Sequence, residues 1–81
     1  MIKIYVKKPI PVTALQWTGD NIKEMMKFSK DIIVTEGGLY VKTLEGDMHA
    51  NVGDYIVQGT RGEFWPVKQD IFEETYEEVN G

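Results

Sequence analysis

Eighty-one residues with nine aromatics, a net charge of −4 and no cysteine leave room for one domain and exclude a disulfide scaffold or a thiolate metal centre. A chain this short buries only about 60% of the surface its unfolded form exposes, so a second copy is an expected way of burying more. The absence of cysteine points to a reducing, cytoplasmic setting. The N-terminal stretch lacks the roughly 7–15-residue apolar run of a signal peptide, and nothing approaches the ~20 apolar residues of a membrane span.

The charge is unevenly spread. Residues 1–30 carry six lysines against Asp20 and Glu24, whereas residues 69–81 carry Asp70, Glu73, Glu74, Glu77 and Glu78 with no base. An acidic end repels phosphate backbones, and the scattered lysines form no basic stripe. Duplex nucleic acid and membranes are therefore not expected as partners.

Ile2, Ile4 and Val6 alternate with Lys3, Tyr5 and Lys7, the two-residue period of a half-buried strand. Pro9 and Pro11 interrupt it, because proline cannot donate to a ladder. A second extended run spans Val12 to Trp17. Asn21 and Glu24 have capping-box spacing, and Ile22, Met25, Met26 and Phe28 share one helical face, which predicts a helix over residues 20–29. Strands are expected at 31–36 and 39–44 around Gly37-Gly38, and then at 48–52, where Met48, Ala50 and Val52 would point inward and His49 outward. Residues 54–58 and 63–68 should form a hairpin around Gly59-Thr60-Arg61-Gly62, with Pro66 placing the second strand at an edge. Asp70 and Glu73 form a second capping-box pair, and Ile71, Phe72, Thr75, Tyr76 and Val79 make one helical stripe. Ile56, Ile71, Phe72 and Tyr76 are the expected core of the C-terminal third. The order is that of an α+β domain, with a bent antiparallel sheet or small open β-barrel of five to seven strands and one or two covering helices.

The candidate ligand-binding residues cluster in the same third. Gly59 and Gly62 allow backbone amides to approach a ligand closely, and Arg61 between them offers a planar fork for phosphate or carboxylate. The same four residues also make an ordinary hairpin loop. Phe64 and Trp65 point to opposite faces of their strand, so one packs inward and the other is free to stack on a ring, with Lys68 adding positive charge. Trp17 beside Gln16 is a further ring platform, although core burial is the stronger reading of it. His49 is the only histidine and falls short of the three or four ligands of a zinc site. Ser29, the only serine, has no nucleophile-elbow context, and Asp54 with Glu63 reads as paired acids flanking turns. No catalytic residue, metal or cofactor is expected.

Several segments together resemble a family of small phage and prophage proteins: Lys7-Lys8-Pro9, Ala14 to Asn21 (ALQWTGDN), Thr43 to Met48 (TLEGDM), Gly53 to Val57 (GDYIV), Gly62-Glu63-Phe64, and Asp70 to Glu77 (DIFEETYE). These segments span nearly the whole chain. Members of that family often carry proline where this chain has Val52, and a Tyr-Pro-Cys run where it has Trp65-Pro66-Val67. The second departure removes a thiol and keeps an aromatic ring. The resemblance implies a setting, the cytoplasm of an infected bacterial host, rather than a chemistry. The expected function is that of a non-enzymatic, homo-oligomeric binding protein, an anti-defence protein sequestering a nucleotide-derived immune signal through Arg61, Trp65, Phe64, Lys68, Trp17, Gly59 and Gly62. The alternative is a protein–protein adaptor, an inhibitor of a host defence protein or a virion accessory protein.

Overall fold

A computed structural model describes residues 1–79. Its elements are β1 (Thr13–Gln16), α1 (Ile22–Phe28), β2 (Ile32–Thr35), β3 (Gly38–Thr43), β4 (Gly46–Ala50), β5 (Tyr55–Gln58), β6 (Phe64–Val67) and α2 (Gln69–Thr75). The α+β class holds, but the strands divide into two three-stranded antiparallel sheets, ordered β1-β5-β6 and β2-β3-β4, and no barrel closes. The hairpin around Gly59–Gly62 forms with Gln58 opposite Phe64, and Pro66 sits on β6, an edge strand where its missing N–H costs no ladder bond.

The core fills the space between the sheets. Leu39 and Val41 come from β3, Ala50 from β4, Ile56 from β5 and Phe64 from β6; Met25 of α1 and Trp17 join them. Phe28 meets Phe64 edge to face, with ring centroids 5.4 Å apart, the arrangement that places a positive ring edge on a negative ring face. Asp54 is buried as well, and its carboxylate is spent on the chain itself. It accepts the Asn51 N–H at 2.9 Å while the Asp54 N–H donates to the Asn51 carbonyl, closing the Val52–Gly53 turn from both sides.

Four expectations need correction. Residues 1–12 form no strand: Ile2, Ile4 and Val6 have no ladder partner among the described residues and stand in solvent. Helix α2 buries none of its residues, so Ile71 is exposed and Phe72, with Tyr76 just beyond the helix, is only half-buried. Neither capping box forms. Asn21 makes no side-chain cap bond, because its oxygen accepts from Thr18 and its amide donates to the Gln16 carbonyl and Glu24. The second helix starts one residue before Asp70, with Lys68 at its cap and the Asp70 carboxylate turned to the Ile71 N–H. Finally, Val52 lies in a turn after β4 and Met48 is exposed at 39%, so the inward face of β4 reduces to Ala50; His49 points outward as expected, beside Tyr40.

The remaining asymmetry is one of shape. The radius of gyration is 14.1 Å and the extents are 50 × 32 × 22 Å, against about 12 Å for the radius of a closely folded chain of this length. The excess accompanies residues 1–10, every one of which is exposed. This arm leads directly into β1, whose outer side carries no strand.

Candidate functional site

The structure separates the seven candidate residues. Trp17 and Phe64, each 7% exposed, are core, which removes both as stacking platforms. Lys68 is exposed at the start of α2, across a shallow surface shared with Asp54, Asp70 and Glu73, where carboxylates outnumber it. Trp65 is half-buried on the face of β6 opposite Phe64, as strand alternation requires. It is the most exposed of the three candidate rings.

The glycine loop is already occupied by its own chain. The Gly59 N–H donates to the Glu63 carbonyl at 2.8 Å, the Gly62 N–H to the Gly59 carbonyl at 3.0 Å and the Arg61 N–H to Glu63 Oε1 at 3.1 Å. Three of the loop's four amides are thereby satisfied, one by a carboxylate in the place where a ligand anion would sit. A β-carbon on Gly59 would run into that carboxylate and the Trp65 ring, so this glycine serves close packing of Glu63 and Trp65 over the loop. Arg61 itself is exposed. Asp54 and Glu63 lie beyond opposite ends of β5 and form no carboxylate pair. Among the described residues, no group of three His, Cys, Asp or Glu side chains is placed to hold a metal ion.

What Trp65 does face is a groove of about 590 Å³ between β6 and the β3–β4 hairpin. Phe64, Trp65, Leu44 and Met48 supply its apolar wall, and Asp31, Glu45 and Glu63 outnumber Lys42 around it. Leu44 stands fully exposed at the hairpin tip, held there by Thr43, whose hydroxyl donates to the Gly46 carbonyl and accepts the Glu45 N–H. Asp31, Lys42, Leu44, Glu45 and Met48 were not among the expected binding residues, since only the packing of one sheet on the other brings them to β6. One signal was present in the sequence: an apolar leucine in the turn Leu44-Glu45-Gly46, where a polar residue costs nothing.

A second groove, of about 650 Å³, lies between β1 and α2 and shares no lining residue with the first. Its wall is a ladder of rings: Tyr55 stacks on Phe72 at 4.0 Å and Phe72 on Tyr76 at 4.8 Å. The Tyr55 hydroxyl donates to Glu73 at 3.1 Å. Burial first, and then that carboxylate, hold its pKa above the ordinary 10.0.

No family model, curated protein or solved structure matches the chain.

Proposed function

We propose that this is a non-enzymatic binding protein of the phage-infected bacterial cytoplasm, and that it engages another protein through the Trp65 groove, as an adaptor or as an inhibitor of a host defence protein. The setting rests on the resemblance of its motifs to small phage proteins. The mode of action rests on one observation: an apolar wall of Trp65, Phe64, Leu44 and Met48 bordered by three carboxylates and a single lysine. Such a surface suits a partner segment that carries apolar anchors and basic flanks, because large desolvated side chains supply interface energy and complementary charge at the rim supplies orientation. It repels phosphate.

Sequestration of a nucleotide-derived signal is the second reading, favoured by the shared position of the Trp65 ring and Lys42 in a groove of ligand size. The loop geometry weighs against it, since Glu63 fills the amide site and Arg61 stands apart. One experiment separates the two. The protein and its Trp65→Ala and Arg61→Ala variants are used to capture host proteins, and are titrated calorimetrically with cyclic nucleotides and ADP-ribose derivatives. The adaptor reading expects one stoichiometric protein partner that is lost with Trp65→Ala and kept with Arg61→Ala, and no heat from any nucleotide. Nucleotide heat that vanishes with Trp65→Ala contradicts it and supports sequestration; protein capture that survives Trp65→Ala removes the groove from the interface.

A further inference from the structure

We propose that the N-terminal arm, residues 1–8, is a docking strand for a second copy of this chain, and that it lies along the outer edge of the partner's β1 and over the partner's Tyr55–Phe72–Tyr76 ladder, in a reciprocal exchange. The surface is distinct from the Trp65 groove. Three observations carry the inference. First, the arm has a strand's alternation without a strand's partner: Ile2, Ile4 and Val6 are 100%, 95% and 87% exposed, whereas apolar alternation at period two exists to bury one face. Second, a receiving edge is present. Trp17 exchanges backbone bonds with Asp54 and Gly53 on the β5 side, and the Gln16 carbonyl is reached by Asn21 from the other side. Alternation along β1 therefore turns the Ala14 N–H and carbonyl outward as well, the unpaired edge that β-augmentation uses. Third, the charges match. The arm holds Lys3, Lys7 and Lys8 and no acid, and the ring ladder is bordered by Glu73, Glu77 and Glu78.

The arm does not satisfy this groove in its own molecule. Lys7 Nζ lies 5.7 Å from the centre of the Tyr76 ring, yet the apolar residues that precede it stay in solvent, so the arm passes the ladder and leaves the body of the domain. A second copy placed about a two-fold axis receives one arm and gives the other, which is the isologous closure of a C2 dimer. The eight arm residues and the eleven groove residues make 19 on each side, close to the roughly 20–30 residues a side of a standard interface.

The test is the solution mass of the full chain by sedimentation, for the wild type and three variants. The wild type is expected at twice the chain mass of 9.3 kDa. Ile4→Asp with Val6→Asp leaves the circular dichroism of the domain unchanged and raises the dimer dissociation constant by at least about 100-fold, the order expected when central apolar anchors are removed. Two charge-reversed chains complete the design, one with Lys3, Lys7 and Lys8→Glu and one with Glu73, Glu77 and Glu78→Lys. Each alone is monomeric, and their mixture dimerises, because each arm then meets a groove of opposite charge. A monomeric wild type, a dimer that survives the arm substitutions, or a mixture that fails to pair would each overturn the proposal.

Discussion

Strand β3 and the N-terminal arm carry the same kind of pattern and meet opposite fates. Leu39 and Val41 alternate with Tyr40 and Lys42 and are 1% and 0% exposed; Ile2, Ile4 and Val6 alternate with Lys3, Tyr5 and Lys7 and stand in solvent. The difference is in neighbours. β3 lies between β2 and β4, with both edges paired and one face on the core, while the arm is cut off by Pro9 and Pro11 before it reaches any edge of its own chain. Alternation states which face of a strand seeks burial; it does not state which chain provides the partner.

That contrast can be broken most forcefully at β3. Leu39→Ala should cost about 2–5 kcal/mol, since it removes transfer energy and leaves a cavity in a packed core; denaturant unfolding measures it. Asp54→Ala is expected to cost about 1–3 kcal/mol, because the part-buried Asn51 N–H loses its charged acceptor and the turn between β4 and β5 its side-chain closure. Gly62 has φ +83° and open space around it, so Gly62→Ala should lose about 1 kcal/mol through backbone strain alone. By comparison Ile4→Asp, measured at a concentration that keeps the protein monomeric, should change stability by less than about 0.5 kcal/mol.

A titration sharpens the contrast on the α2 side. The pKa of Tyr55 is raised in the folded state, so folded protein holds the phenolic proton more tightly than unfolded protein does. Its contribution is complete below pH 10 and is lost as pH rises past 10 and through the folded pKa. Unfolding stability should fall over that alkaline range, and Tyr55→Phe should flatten this part of the profile. A slope that survives the substitution would assign the alkaline loss to another group.

Much of the fold was readable because the strands that pair within the chain also have turn chemistry between them. Gly37-Gly38, Glu45-Gly46 and the Gly59–Gly62 loop each mark a hairpin that forms. The helix starts were less readable, since Asn21 and Asp70 had the right spacing for caps but found other donors nearby. The candidate groove was readable at Trp65, which lines it. Phe64 and Trp65 alternate as the sequence implies, yet which one faces the core depends on Phe28 and on the second sheet. Arg61 looked like an anion fork until Glu63, two residues on, proved to be the anion that its backbone binds.

The arm is where the account stands or falls, and amide hydrogen exchange of residues 2–8, followed as a function of protein concentration, tests it most directly. Exchange that slows in the arm as concentration rises, in step with new protection at Ala14 on the outer edge of β1, is the predicted result. Arm amides that exchange at the rate of an unstructured peptide at every concentration, or that are equally protected in the dilute monomer, would contradict it.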